Sequence, residues 1–284
     1  WKVPSSVEVM ESLPMDGAGE PVVAWRDVGA DGFAEVYAEV TEAIGRGLIE
    51  KSVPVVTETG AFTMSGPGSL VRRLNGLPEN LWGYGWLGRD EGFVGATPEK
   101  LLSVENGLLE TMALAGTARS DDSLVFEADQ KEIREHEYVA GSLAAKLSDI
   151  GTVRRDARRV MPLGPLVHFE TPIEVDLNGP EEPDRLIQHL HPTPALGPLP
   201  RTDETLGLLL GWRKRLGCPD PFGAPFGLWR DGALTVVVAI RMIAWRDHEA
   251  FLPSGCGVIA ESRLVNEWRE LRIKRDAVKT IFRL

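Results

Sequence analysis

Cysteine is scarce in this chain. Its two cysteines, Cys218 and Cys256, stand far apart among 284 residues, and no Cys-x-x-Cys spacing occurs. This usage supports neither a disulfide framework nor a zinc site. A reducing compartment fits such a pattern, so we expect a cytoplasmic protein.

Long hydrophobic runs and basic clusters are also lacking. The apolar stretch Leu234–Ile240 contains one threonine and stops at Arg241, far short of the roughly 20 residues that cross a bilayer. Residues 1–54 show no basic segment followed by an apolar one, so we expect neither an export signal nor a membrane partner. The 31 Lys and Arg against 42 Asp and Glu give a net charge of −11, which disfavours a nucleic-acid partner. An anionic ligand would therefore need cations gathered locally, or a metal ion.

The remaining composition is that of a folded globular chain, with 43% hydrophobic and 26% charged residues. Three segments predict β-hairpins, because apolar residues flank turn signals: residues 84–96 around 89–92, residues 100–114 around Glu105-Asn106-Gly107, and residues 228–244 around 230–232. Antiparallel sheet is therefore expected to dominate.

Helical periodicity marks four further segments. Helices are predicted over residues 32–45 and 204–216, over one long segment 121–150, and over 261–282 at the C-terminal end. Four prolines between Pro192 and Pro200 predict a shaped loop instead. Strands first, with helices interspersed and terminal, indicate an α+β fold.

Acidic residues on two predicted helices are candidate metal ligands. Glu267, Glu270 and Lys274 share one face of the last helix, and Glu135 lies in the long helix. If the helices approach each other, Glu135 and Glu270 supply the oxygen ligands that Mg²⁺ prefers. The alternative from the residues alone is a pair of solvated acidic faces.

Five other positions have both a functional and a structural interpretation. The backbone of Gly255–Gly257 either faces an anion or makes a tight turn. Arg241, which ends an apolar run, either binds a ligand or joins a buried ion pair. Lys51 either acts inside the fold or extends to the surface. Glu99 and His191 are either site residues or ordinary turn residues.

Together these segments resemble the chorismate-utilising enzymes, the family of isochorismate, salicylate, anthranilate and aminodeoxychorismate synthases. The motifs that carry the resemblance are Gly95–Glu99, Ala113–Thr117, Lys131–His136, Leu190–Arg201, Val238–Arg241, Gly255–Val258 and Glu267–Glu270 with Lys274. The resemblance implies one α+β domain over residues 1–284, with two large packed antiparallel sheets and helices outside. Residues 1–47 would be a shortened N-terminal region, and residues 48–284 the family core.

The resemblance also implies a ligand set. Glu135 and Glu270 are expected to bind Mg²⁺ as the cofactor, with Glu267 reaching it through water, and the metal would hold one carboxylate of chorismate. The other substrate contacts implied by the matching motifs are Arg241, Lys274, Gly255 and Gly257 at a second carboxylate, Gly116 and Ala195 along the ring, and His191.

Two positions favour one member of the family. Aminodeoxychorismate synthases usually carry a nucleophilic lysine where this chain has Ala115, and anthranilate synthases usually have glutamine where it has Lys51. Lys51 matches the general base that activates water in isochorismate and salicylate synthases, and Glu99 matches the acid that protonates the departing 4-hydroxyl. The resemblance therefore implies an isochorismate synthase.

Three alternatives stay open. Salicylate synthases usually have an arginine just before the Gly-x-Gly loop and a tyrosine in the preceding glycine motif, where this chain has Ser254 and Phe226. Anthranilate synthase component I would need a glutamine amidotransferase subunit as partner. The third alternative is a catalytically silent protein that binds chorismate or a partner. Whether the product serves menaquinone or siderophore synthesis is also left open.

Overall fold

The structure is a computed structural model that describes residues 19–63, 68–88 and 90–284. Along the chain, the strands and helices are β1 (Val22–Trp25), α1 (Asp31–Gly45), β2 (Val55–Thr63), α2 (Gly68–Arg72), β3 (Trp82–Leu87), β4 (Glu91–Thr97), β5 (Lys100–Glu105), β6 (Leu108–Arg119), α3 (Ser123–Phe126), α4 (Gln130–Leu147), β7 (Gly151–Arg155), β8 (Arg159–Leu163), β9 (Leu166–Leu177), α5 (Pro183–Leu190), α6 (Asp203–Arg215), β10 (Pro225–Arg230), β11 (Ala233–Val238), β12 (Met242–Arg246), β13 (Glu249–Gly255) and α7 (Leu264–Phe282).

The strands form two antiparallel sheets. Within the described residues, one sheet has the order β1-β2-β13-β12-β4-β3, and the other the order β10-β11-β5-β6-β9-β7, with β8 also pairing with β9. The main core lies between them, because Val55 and Ala244 of the first sheet share one buried cluster with Leu102 and Val236 of the second. This arrangement, with helices packed around it, confirms the predicted fold class.

The chain crosses from one sheet to the other at two neighbouring points. One crossing joins β4 to β5, and the other joins β11 to β12. Backbone hydrogen bonds hold the crossings side by side: the Ala96 N–H donates to the Arg241 carbonyl at 3.1 Å, and the Val238 N–H donates to the Glu99 carbonyl at 3.0 Å. Two residues singled out by the sequence, Glu99 and Arg241, therefore lie together at this junction.

The three predicted hairpins are present as β3–β4, β5–β6 and β10–β11. The third is shorter than predicted over residues 228–244, because β11 ends at Val238 and residues 242–244 belong to β12 of the other sheet. In the second turn, Asn106 and Gly107 have φ angles of 50° and 81°, the left-handed pair that a type I′ turn requires. Arg89 of the first turn lies outside the described residues.

The long helix predicted over residues 121–150 is wrong in its first part. A 3₁₀ turn and the four-residue helix α3 occupy residues 120–126, and α4 begins only at Gln130. The carboxylate of Asp129 accepts hydrogen bonds from the backbone N–H groups of Lys131 and Glu132, so a new N-cap restarts the helix. The other predicted helices lie within three residues of α1, α6 and α7.

Candidate functional site

A cleft opens where the two sheets, the loop after α5 and helices α4 and α7 meet. It brings together residues that are far apart in sequence. Among the residues singled out by the sequence, its lining includes Lys51, Glu99, Gly116, Glu135, Ala195, Arg241, Gly255, Glu270 and Lys274.

Lys51 is a buried lysine, not a surface one. Its side chain is 1% exposed, and its Nζ lies 3.1 Å from Oε1 of Glu135 on α4. The backbone of Lys51 pairs with Leu199 in an isolated β-bridge, which fixes its position just before β2. Extension of Lys51 to the surface is therefore excluded.

Glu99 is buried in the β4–β5 crossing. The hydroxyl of Thr193 donates a hydrogen bond of 3.2 Å to its Oε1. Burial raises the pKa of Glu99 to about 7, although Thr193 and the charges of Lys51 and Lys274 oppose the shift. Glu99 is thus a carboxyl group that carries a proton near neutral pH, and it is not an exposed turn residue.

Arg241 has a backbone φ of 54°, and its guanidinium enters the cleft. The Nη2 group donates to Nε2 of His168 at 2.9 Å, while Nδ1 of His168 lies 2.8 Å from the carbonyl of Gly116. Burial lowers the pKa of Arg241 to about 10, and burial and Arg241 together hold the pKa of His168 well below its usual value. Within the described residues no carboxylate forms an ion pair with Arg241, so its charge remains available to an anion.

Lys274 holds the other side of this cationic end. Its Nζ donates to the carbonyl of Gly255 at 2.9 Å and contacts Oε1 of Glu270, one helical turn away on α7. The contact anchors the end of β13 to α7. Gly255, Lys274 and Arg241 therefore surround one part of the cleft, as an anion-binding site requires.

Four glutamates of α4 and α7 form the acidic end of the site, which adjoins the cationic end because Glu270 contacts Lys274. Lys131 Nζ is 2.8 Å from Glu132 Oε1, 3.1 Å from Glu135 Oε2 and 3.3 Å from Glu267 Oε1. Burial and the charge of Glu270 raise the pKa of Glu267 to about 8. Burial would also raise the pKa of Glu135, but Lys51 and Lys131 outweigh it and lower that pKa to about 2.

These carboxylates have the right chemistry for Mg²⁺, which prefers several oxygen ligands. Oε2 of Glu267 is buried without a hydrogen-bond partner and is available as a donor atom. As arranged, however, no three acidic, histidine or cysteine side chains in the described part of the chain converge closely enough to hold a metal ion. The donors fit Mg²⁺, but Lys131 stands among them.

Three residues expected at the site lie outside the lining of this cleft. Glu267 lines the adjoining cleft together with Lys131 and Glu132. Gly257 packs against the carboxylate of Glu135, where a Cβ would overlap Oε1. The ring of His191 instead hydrogen-bonds through Nε2 to the carbonyl of Gly223 at 2.6 Å, which braces the loop. The structure therefore does not bring His191 into the cleft.

Sequence reasoning missed two kinds of site residue. His168 lies inside the buried part of β9, and an imidazole between the apolar residues Val167 and Phe169 was the available signal. Lys131 and Glu132 precede the expected ligand Glu135 by four and three residues, but nothing in that spacing reveals which of the three faces the cavity.

The model of one protein family matches almost the whole chain. Residues 13–283 match the model of the family described as chorismate binding enzyme. The chain belongs to this family. Membership confirms the resemblance drawn from the motifs, whereas the roles of individual site residues stay predictions.

An isochorismate synthase and an anthranilate synthase component are both similar to this chain. The salicylate biosynthesis isochorismate synthase of Pseudomonas aeruginosa is 31% identical over 207 residues, which cover 66% of this chain and 41% of that protein. Anthranilate synthase component 1 of Acetivibrio thermocellus is 27% identical over 200 residues, 65% of this chain and 39% of that protein. The chain thus matches less than half the length of either relative.

A solved structure shares the fold. MenF, the menaquinone-specific isochorismate synthase of Escherichia coli, superposes with a TM-score of 0.80 over 95% of this chain and 66% of that one, at 20% identity. Within the described residues, no helix combines the length and hydropathy needed to span a membrane.

Proposed function

We propose that this chain is a Mg²⁺-dependent isochorismate synthase, which adds water at carbon 2 of chorismate as the 4-hydroxyl departs. The observation that carries the proposal is the placement of Lys51 and Glu99, a base and an acid by resemblance, in one cleft with a cationic end and an acidic end. The similar isochorismate synthases support it, as does Lys51 where anthranilate synthases usually have glutamine.

One group of side chains binds and orients chorismate. Arg241 and Lys274 bind one carboxylate of chorismate, and the neutral ring of His168 holds Arg241 in place. Mg²⁺ held by Glu135 and Glu270, with Glu267 nearby, would neutralise and orient the second carboxylate. Ala195 and Gly116 line the ring.

Proton transfer falls to Lys51 and Glu99. Glu99 holds a proton near neutral pH and donates it to the departing 4-hydroxyl, for which a pKa of about 7 is well suited. Lys51 accepts a proton from the attacking water in its neutral form, after its own proton has passed to solvent. The ion pair with Glu135 favours the charged form of Lys51, so engagement of Glu135 by Mg²⁺ would favour the neutral base.

The deciding experiment incubates the purified chain with chorismate and Mg²⁺, with and without ammonium, and identifies the products by HPLC and NMR. We expect isochorismate in both incubations and none after chelation of Mg²⁺. Anthranilate alone, formed only with ammonium, would establish the anthranilate alternative, and salicylate with pyruvate would establish the salicylate one. Chorismate binding without turnover at saturating Mg²⁺ would identify a silent binding protein.

A further inference from the structure

One ammonium group lies at the centre of the acidic end of the site. Lys131 Nζ is within 3.3 Å of oxygens from Glu132, Glu135 and Glu267. The side chains of these glutamates are 13%, 8% and 2% exposed, so little water screens the contacts. Lys131 is thus the main neutralising charge of the cluster.

The other two lysines of the site each contact a single glutamate of this cluster. Lys51 contacts Glu135 alone among these four glutamates, and Lys274 contacts Glu270 alone. Only Lys131, within the described residues, joins carboxylates of both helices, since Glu135 belongs to α4 and Glu267 to α7. An ammonium with oxygen atoms from two helices around it occupies the kind of position that a bound cation takes.

The position of Lys131 on its helix is unfavourable by itself. Lys131 is the second residue of α4, and its backbone N–H is capped by Asp129. A positive charge in the first turn opposes the helix dipole, which favours anions there. The carboxylates of Glu132, Glu135 and Glu267 offset this cost.

The side chain of Lys131 also has space to move away from the glutamates. Lys131 is 18% exposed and lines the adjoining cleft, which shares Thr117 and Glu270 with the main one. A flexible lysine can swing into this space without a movement of the backbone.

We propose that Lys131 is an internal counter-cation that competes with Mg²⁺ for the carboxylates of Glu135 and Glu267. It neutralises them in the metal-free protein and withdraws into the adjoining cleft when Mg²⁺ binds. The inference rests on the proposed function, in which Glu135 and Glu267 belong to the Mg²⁺ site. If Lys131 merely positioned the glutamates for the metal, its removal would weaken Mg²⁺ binding, whereas competition predicts that its removal strengthens Mg²⁺ binding. The direction of the change in Mg²⁺ affinity therefore separates the two roles.

The test compares Lys131→Gln with the unmodified chain by calorimetric titration with MgCl₂ at fixed ionic strength. We expect Lys131→Gln to bind Mg²⁺ at least tenfold more tightly. Its melting temperature without metal should fall, and the increase on adding Mg²⁺ should exceed that of the unmodified chain. Arg134→Gln is the matched control, because it removes the same charge from α4 but Arg134 pairs with Glu261, outside the cluster. Its affinity should stay within threefold.

A second variant keeps the charge. Lys131→Arg should bind Mg²⁺ no more tightly than the unmodified chain. If Lys131→Gln unfolds on chelation, titration of its refolding with MgCl₂ gives the affinity instead. Unchanged or weaker binding by Lys131→Gln, with binding by the unmodified chain, would overturn this inference alone. No binding by either protein would overturn both the inference and the Mg²⁺ dependence, whereas binding by Lys131→Gln alone would support the competition.

Discussion

Arg241 donates a hydrogen bond of 2.9 Å to a neutral histidine, His168, where a buried guanidinium usually meets a carboxylate. The partner orients the guanidinium without cancelling its charge. His168 is in turn held by the carbonyl of Gly116, on a strand of the same sheet. Within the described residues, Arg241 is thus an oriented guanidinium without an ion-pair partner, available to an anionic ligand.

The first prediction follows from this pair. Arg241→Ala should raise the KM for chorismate by at least tenfold with a smaller change in kcat, because a carboxylate contact acts in the ground state too. His168→Leu should have a similar but weaker effect, since hydrogen bonds to charged groups contribute about 1.5–3 kcal/mol. His168→Gln, whose amide oxygen can accept from Arg241, should restore part of the affinity. Equal KM values in His168→Leu and the unmodified chain would remove His168 from substrate positioning.

The second prediction concerns the proton-transfer residues. Lys51→Ala and Glu99→Gln should each lower kcat by about 10² to 10⁴ with KM within a few-fold, because a positioned acid or base acts mainly in the transition state. Steady-state kinetics with chorismate measures both constants. A large rise in KM with kcat preserved would assign these residues to binding instead.

The third prediction is a pH dependence of stability caused by Glu99. Its pKa rises from 4.5 in the unfolded chain to about 7 in the fold, so the native state binds the proton more tightly. Stability should therefore fall as the pH rises from about 4.5 through about 7, by about 3 kcal/mol at roughly 1.4 kcal/mol per pKa unit. Glu99→Gln should be more stable than the unmodified chain at pH 8, and this gain should vanish near pH 4.5. Urea unfolding at both values tests it, and the same gain at both would contradict it.

The fourth prediction concerns metal binding at α7. Glu270→Ala should weaken Mg²⁺ binding at least tenfold with the fold retained, because it removes one of the expected ligands. Glu261→Gln is the control, since Glu261 pairs with Arg134 at the rim of the adjoining cleft. Calorimetry and circular dichroism report affinity and folding. An affinity unchanged by Glu270→Ala would exclude Glu270 from the metal site.

The fifth prediction concerns a buried ion pair behind the site. Arg275 on α7 donates to the hydroxyl of Ser254 at 2.9 Å and lies 3.2 Å from Glu58 on β2. Arg275→Met should destabilise the chain by about 1–3 kcal/mol, because it leaves the Ser254 hydroxyl without its donor and leaves Glu58, among the described residues, with Lys279 alone, at 2.6 Å. Lys279→Met should cost less, because the side chain of Lys279 is 21% exposed and that of Arg275 only 4%. Urea unfolding that finds Lys279→Met the more destabilised variant would show that Lys279 is the main partner of Glu58.

The sequence predicted those parts of the fold in which local chemistry decides the conformation. Asn106 and Gly107 both adopt left-handed backbone angles, which specify the type I′ turn. The spacing of apolar residues in the last segment predicts a helix, and α7 forms there. The break before α4 was missed, because the residues around Phe126 also read as helical. Only the capping geometry of Asp129 decides where the longer helix begins.

The surroundings of the site residues are not contained in the motifs that name them. Motif resemblance named Lys51, Glu99 and Arg241, but it did not say what surrounds them. The ion pair between Lys51 and Glu135 and the contacts of Lys131 join residues of different elements, so they exist only after the fold has formed. His191 shows the converse, because a residue inside a matching motif can serve the loop and not the cavity.

The two adjacent crossings between the sheets have a mechanical consequence. Glu99 and Arg241 occupy connections that are hydrogen-bonded to each other, so a small slide of one sheet over the other moves the acid and the guanidinium together. We expect the distance between Glu99 and Arg241 to change little in such a movement, and the distances to residues on other elements to change more. We expect insertion of a single residue into either crossing to break this linkage, whereas the hairpin turn at Asn106-Gly107, at the opposite end of β5 from the first crossing, can lengthen without altering it.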